Sequence, residues 1–402
     1  MSFDERLKNL VEGTKEKELE VLRRDREAQW RPGVQWRGEE GEVTTAAMFV
    51  DQHPDWNAVL EVWDLDPTKF AVIEPVLFNA WDAAIGNGET RRMRQYKAKV
   101  VRRKNENLFD IDALREEISK HKPNKSKVIN GEGVYNVVLS DWQIGKPEGG
   151  GTQATANRVL NGITSVLTRA KELRRCGRSI GTLQILWVGD SVEGCLGHYE
   201  QQTFGVDLDR RGQINAVRTL LLAALKKWAP HFNEIKICAV GGNHGENRST
   251  KGKSFTTFAD NDDLLVIDQI RDAMEFNKES YGHVKTIIAP DYLNVTIDTC
   301  GWILGVTHGH VAKESGTAEQ KMKRWLERMS LGRQPIGDCD ILVSGHYHHL
   351  RVADWGSVQW LQAPALDGGS EWFKQIRGEQ SQPGILTFLT YPEVKVKDLQ
   401  VL

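Results

Sequence analysis

Long hydrophobic runs are missing from this sequence. The longest apolar stretches, such as Leu220 to Leu225, fall far short of the ~20 residues that cross a bilayer. The N-terminal stretch MSFDERLKNLVEGTKEKELE is charged throughout and holds no signal-peptide core. No membrane partner is therefore expected. Cysteine is sparse, with 5 in 402 residues: Cys176, Cys195, Cys238, Cys300 and Cys339. They are scattered, odd in number and free of C-x-x-C spacing, which argues against a disulfide framework and against a cysteine zinc site. A reducing, cytoplasmic home is expected. Net charge is nearly absent, at −2. No global field then pulls the chain onto nucleic acid, and any such attraction must come from a local patch. Internal repeats and low-complexity segments are also lacking.

What is present is an ordinary globular composition, 40% hydrophobic and 27% charged. The length suggests a main domain with additions. Residues 1–45 read as a charged helical arm followed by a loose Gly/Glu stretch, RPGVQWRGEEGEV. Leu7, Leu10, Val11, Leu19 and Leu22 give the arm only a thin apolar stripe. Residues 46–130 read as a small α+β accessory unit. Its expected parts are a helix at Asp55 to Trp63, a β-rich run at Phe70 to Phe78, a turn at Gly86-Asn87-Gly88, a strand at Tyr96 to Val101 and a helix near Ile111 to Lys120. The lysine-rich HKPNKSK reads as a linker. Residues 131–402 alternate strands and helices and end in a β-rich part. That predicts an α/β fold of two packed sheets with helices outside. The 13 tryptophans are expected mostly in the core.

Five short polar motifs each follow an apolar run: Ser140-Asp141-Trp142-Gln143, Gly189-Asp190-Ser191-Val192-Glu193, Gly241-Gly242-Asn243-His244-Gly245-Glu246, Thr307-His308-Gly309-His310 and Ser344-Gly345-His346-Tyr347-His348-His349. Asp, Asn and His are the donors that bind divalent transition metals. Loops past strand ends would bring them to one edge of a rigid sheet, and His346 and His348, two apart, would project to the same side. Each motif alone is weak evidence, since a lone histidine after a strand is more often structural. Together and in this order they predict a metal site.

The order Asp-x-(His), Gly-Asp-x-x-(Asp/Glu), Gly-Asn-His, His-Gly, Gly-His-x-His resembles calcineurin-like metallophosphoesterases over residues from about 133 to 365. LSDWQIGK is similar to the opening of SbcD-type DNA-repair nucleases, whose first motif reads Asp-Trp-His-Leu-Gly. GHYHH…LQAPALDGGSEWF resembles phage-encoded members, for which the home would be the host cytoplasm. The resemblance implies a two-sheet metallophosphoesterase sandwich flanked by helices. It also implies two divalent ions, manganese in the first instance, with magnesium, zinc or iron as the other options. Asp141 and His348, with position 143, would hold one ion. Asp190 would bridge both, and Asn243, His308 and His346 would complete the second. His244 would stand beside the scissile phosphate as a charge stabiliser or proton donor, a role suited to an imidazole with an ordinary pKa near 6.5. Two dications about 3.5–4 Å apart need such a bridging carboxylate, and together they activate a water. Glu193 would orient a ligand.

The sequence departs from the pattern at Gln143, where the family has His. The amide oxygen is either a weaker, harder ligand or no ligand. His310 and His349 read as structural. Arg248 could meet a substrate phosphate, with Lys251 and Lys253 adding charge, or the loop could be plainly solvated. Gly149-Gly150-Gly151 reads as a mobile lip or a simple turn.

The metals imply a phosphoester without saying which. DNA is the expected substrate, in a manganese-dependent nuclease. A basic cluster supports it: Arg91, Arg92, Arg94, Lys97, Lys99, Arg102, Arg103 and Lys104, with Tyr96 among them. The plain alternative for that cluster is a solvated hairpin face. A phosphatase or small-nucleotide phosphodiesterase is the alternative activity, with the segment Asp367 to Phe373 as a pocket wall, Trp372 and Phe373 stacking a base or packing under a loop, and the N-terminal part as a protein-binding or assembly module. A homo-oligomer is open.

Overall fold

The computed structural model describes residues 30–37, 40–67, 69–84, 89–102, 113–114, 116, 120, 131–198, 202–249, 251–254, 256–288, 293–369, 375, 378 and 382–402. Outside these lie the arm's leucines, the Gly86–Gly88 turn, Arg103 and Lys104, most of the Ile111–Lys120 helix, the HKPNKSK linker, and Trp372 and Phe373. The chain forms two compact units, Met1–Leu108 and Phe109–Leu402.

In the first unit, β1 (Gly33–Arg37), β2 (Glu40–Thr44), β3 (Met48–Phe49), β4 (Phe70–Ala84) and β5 (Thr90–Arg102) form one antiparallel sheet. The stretch expected to be loose is thus a β1–β2 hairpin, registered Gly33 to Thr44. Its Val43 explains this, being fully buried against Ala98, Val100 and Leu60. Leu60 comes from α1 (Trp56–Val62), which Asp55 caps by accepting from Asn57 N at 3.0 Å. β5 is central, with β2 and β3 on one side and the long edge strand β4 on the other.

The second unit has four layers. β6 (Gly133–Leu139), β7 (Ile180–Trp187), β8 (Glu234–Ala239) and β9 (Val284–Ile288) run parallel, and β15 (Leu386–Tyr391) and β16 (Val394–Val401) extend the sheet antiparallel, in the order β16-β15-β6-β7-β8-β9. The second sheet has the order β10-β11-β12-β14-β13, from β10 (Asn294–Thr299), β11 (Trp302–Thr307), β12 (Ile341–Ser344), β13 (Arg351–Asp354) and β14 (Gln359–Gln362). Val138, Leu186, Val188 and Val240 meet Leu304, Val306, Val343 and Leu361 between the sheets. β6 is buried at every residue because both its faces are covered.

Helices cover the outer faces. α2 (Gly151–Arg175) buries Ala156, Val159, Ile163, Val166, Ala170 and Leu173, a stripe at helical spacing, against the first sheet. The short α3 (Gln202–Gly205) precedes α4 (Arg210–Trp228), which together with α5 (Asp262–Glu275) completes that layer. The short α6 (Lys278–Tyr281) follows, and α7 (Ala318–Leu331) lies on the second sheet through Met322, Trp325 and Leu326. The fold is α/β, a two-sheet sandwich flanked by helices. Trp142, Trp187, Trp228 and Trp360 are among its largest fully buried side chains, whereas Trp36 and Trp63 are exposed. Among the described residues no helix is long and apolar enough to cross a membrane.

Candidate metal centre

Asp141, Asp190 and Asn243 follow the C-terminal ends of β6, β7 and β8, three adjacent parallel strands. His308 follows β11, and His346 and His348 follow β12, its parallel neighbour. Strand ends that diverge into loops are where α/β sheets place ligands. Main-chain hydrogen bonds lace these loops together: Asp141 N to Gly189 O at 3.1 Å, Gln143 N to Asp190 O at 2.9 Å, Gly345 N to His308 O at 3.0 Å.

The backbone is strained at this edge. Nine non-glycine residues among those described have positive φ, and five of them are Asp141 (51°), Gln143 (44°), Asp190 (52°), His346 (70°) and His348 (60°). Left-handed backbone costs a side-chain-bearing residue about 1–3 kcal/mol and persists where the surroundings force it, commonly at functional sites. Two glycines make room for the carboxylates. A Cβ on Gly242 would lie 2.1 Å from Asp190 Oδ1, and one on Gly345 would lie 2.0 Å from Ser140 Oγ and 2.6 Å from Asp141 Oδ2.

Asp190, His308 and His346 each bring one donor atom within 4.8 Å of the other two. His308 Nε2 lies 2.9 Å from Asp190 Oδ2 and 3.2 Å from Asn243 Oδ1. Its Nδ1 is 2.8 Å from Val188 O, an acceptor only, so Nδ1–H donates and Nε2 faces the site. Asp141 and Asp190 are fully buried or nearly so. Asp141 Oδ1 has no hydrogen-bond donor and sits 3.3 Å from His348 Nε2, while Oδ2 accepts from Ser140 Oγ and, at 3.1 Å, from His346 N. Burial alone would raise the Asp190 carboxyl, but His308 and His244 hold it well below the usual range. Burial lowers His346 to about 4, so its ring is a neutral donor. Buried carboxylates are costly without compensating charge. The orphaned Asp141 oxygen, together with carboxylate, amide and imidazole donors, fits a divalent metal.

His244 stands at the rim. Its backbone N–H donates to Asp190 Oδ1 at 2.7 Å, and its Nδ1 lies 2.7 Å from Glu193 O and 3.5 Å from Glu193 Oε2. Nδ1 thus carries the proton, and Nε2 lies 3.3 Å from Gln143 Nε2. His198 stacks on the ring, with centroids 4.3 Å apart and planes 3° apart. Gln143 Oε1 accepts from Lys146 Nζ at 3.1 Å.

Arg248 is tied to Glu246, Nε to Oε2 at 3.0 Å. His310 also meets Glu246, at 3.6 Å, and packs against the His308 ring at 5.3 Å. His349 accepts from Gln362 through its carbonyl. Lys251 and Lys253 are exposed. Gly149, Gly150 and Gly151 all have positive φ and lead into α2.

Sequence reasoning missed the organising role of three residues. Asp263, fully buried, accepts the N–H groups of Asp190 (2.9 Å), Ser191 (2.8 Å) and Gly242 (2.9 Å) and the Ser191 hydroxyl (2.5 Å). Asn261-Asp262-Asp263 reads from sequence as a helix N-terminus, and that capping signal conceals the carboxylate's second task. Asp367 pairs with Lys146 and lies 3.6 Å from His348 Nδ1. Lys146 closes the string LSDWQIGK and Asp367 opens DGGSEWF, but only the fold brings the two side chains together.

No family model matches the chain, and neither does any curated protein. Among solved structures it is similar to a single-mutant Vps29 from Entamoeba histolytica, at 13% identity over 67% of this chain and 98% of that one, with a TM-score of 0.30. It is similar to a novel archaeal phosphodiesterase at 11% identity over 67% and 99%, with a TM-score of 0.31. A predicted phosphoesterase from Streptococcus pneumoniae follows at 11% identity over 67% and 97%, with a TM-score of 0.25. At such values the residues themselves have to carry the functional reading.

Proposed function

We propose that this chain is a metal-dependent phosphoester hydrolase of the calcineurin-like class, acting on DNA with manganese as its working ion. The observation that carries the hydrolase reading is the convergence of Asp190, His308 and His346, beside the orphaned oxygen of Asp141, on strained strand-end loops. Asp141, His348 and Gln143 would hold one ion and Asn243, His308 and His346 the other, with Asp190 shared. When bound, such ions neutralise a phosphate and activate water. The chain's own work is to fix the donors, which the Asp263 and inter-loop hydrogen bonds do, and to supply a proton. His244 is placed for that when both of its ring nitrogens carry protons, because the Nδ1 proton is held by the Glu193 carbonyl. Glu193 and His198 fix its ring, and its Nε2 faces away from the Glu193 carbonyl.

A polymer substrate is supported by the first unit. The β4–β5 register sets Phe78 opposite Tyr96, Ala80 opposite Arg94 and Asp82 opposite Arg92, so these residues share one face. The Arg94 guanidinium lies over Phe78, 4.7 Å from its centroid, and donates to Tyr96 OH at 3.2 Å. Phe78 is 59% exposed. Among the described residues neither Arg92 nor Arg94 forms an ion pair. Guanidinium and exposed aromatic side by side suit a phosphate backbone with unstacked bases. Lys97, in contrast, is paired with Glu42 at 3.2 Å.

The test compares hydrolysis of single- and double-stranded DNA, cyclic nucleotides and p-nitrophenyl phosphate under manganese, magnesium, zinc and iron. DNA cleavage is expected. DNA left intact while a monoester turns over would sink the nuclease reading and favour the phosphatase.

A further inference from the structure

The two halves of the centre differ in what their basic neighbour meets. On the Asn243/His308/His346 half, Arg248 is neutralised by Glu246 and His308 is fixed through Val188 O with Nε2 directed inward. On the Asp141/Gln143/His348 half stands Lys146. Its ammonium donates to Gln143 Oε1 at 3.1 Å and pairs with Asp367, with Glu148 at 4.0 Å beyond. The Lys146 and Asp367 side chains are 12% and 2% exposed, so solvent screens their charges little.

We propose that Lys146 makes the Asp141/Gln143/His348 half a weak, exchangeable metal position beside a tight one at Asp190/Asn243/His308/His346. The inference rests on the metal-centre reading above. Two effects act in the same direction. The amide oxygen is the only atom by which Gln143 could ligate, and it already accepts from an ammonium. Asp367, 3.6 Å from His348 Nδ1, would strengthen that imidazole as a donor, but it shares its charge with Lys146. Together these describe a hydrolase whose second ion comes and goes with the free metal concentration, while the first stays.

The test is manganese titration of the full chain by calorimetry, with electron paramagnetic resonance to separate single ions from coupled pairs. Wild type is expected to take up one ion tightly and a second about tenfold or more weakly. Lys146→Met frees Gln143 Oε1 and the Asp367 carboxylate at similar side-chain length and should close most of that gap. Gln143→His leaves the Lys146–Asp367 pair in place and should raise the second affinity, which covers the case in which Lys146→Met fails to fold. Two ions of equal affinity in wild type would overturn the inference. So would an affinity ratio left unchanged by a folded Lys146→Met, or by Gln143→His where Lys146→Met fails to fold. A wild type that binds no manganese would sink the metal-centre reading itself, whereas the first two results would leave it standing.

Discussion

Asp263 Oδ2 accepts the backbone N–H of Asp190 at 2.9 Å, so a residue that faces no metal position fixes the backbone of the one that would bridge two. The same oxygen takes the Gly242 N–H, and its partner takes both Ser191 donors. One carboxylate thereby ties the loop after β7 to the loop after β8. Asp263→Ala would orphan three buried N–H groups, at about 1–3 kcal/mol each. The expected result is a lower melting temperature and a metal affinity reduced about 10–100-fold, read by thermal denaturation and calorimetry. Asp263→Asn, which keeps the shape and one acceptor, should fall between. Unchanged metal affinity in Asp263→Ala would remove the residue from any positioning role.

Gly242 offers a steric test of the same contact. A methyl group there would sit 2.1 Å from Asp190 Oδ1 and 2.3 Å from Asp190 N. Gly242→Ala should therefore displace the carboxylate and lower hydrolysis by about two orders of magnitude or more, since small misplacements of reacting groups are that costly. Gly205→Ala is the control, with nothing within 4 Å of its Cβ. Equal rates for the two variants would contradict the packing described around Asp190.

His244 can be separated from the proposed metal ligands by leaving group. A proton donor matters most for a poor leaving group such as a deoxyribose hydroxyl, and little for p-nitrophenolate. His244→Gln should slow DNA cleavage by about 10²–10⁴-fold while sparing bis-p-nitrophenyl phosphate far more. Equal losses on both substrates would assign His244 to phosphate binding or ligand positioning.

The β4–β5 face predicts a salt-sensitive contact. Arg92→Ala with Arg94→Ala should weaken binding of a labelled single-stranded oligonucleotide, measured in EDTA by fluorescence anisotropy, by about tenfold or more, with a shallower salt dependence. Phe78→Ala should weaken it by about 1–3 kcal/mol with the salt slope unchanged, because stacking carries no charge. Hydrolysis of a small diester should stay at the wild-type rate in these variants. Oligonucleotide affinity within twofold of wild type would leave the exposed face to a protein partner.

Much of this architecture was legible in the sequence. The alternation of β6 through β8 with α2, α4 and α5 announces an α/β sheet, because buried parallel strands are mostly apolar and their helices carry one apolar stripe. The polar residues closing each strand mark the loops that converge. The β1–β2 hairpin was not legible, since Gly33, Gly41 and several charges hide the single buried Val43 that fixes its register. Lys146 and Asp367 were also hidden. They lie 221 residues apart in sequence, and neither string has a periodicity that points to the other. Gln143 was visible as an oddity, but its contacts with Lys146 and His244 needed coordinates.

The most direct test of the central claim is the rate of bis-p-nitrophenyl phosphate hydrolysis by purified wild type and Asp190→Ala, with manganese and with EDTA. Expected is turnover in wild type that EDTA abolishes and added manganese restores, and none in Asp190→Ala although the variant stays folded. Hydrolysis that survives either the chelator or the loss of Asp190 would contradict a metal centre built on that residue.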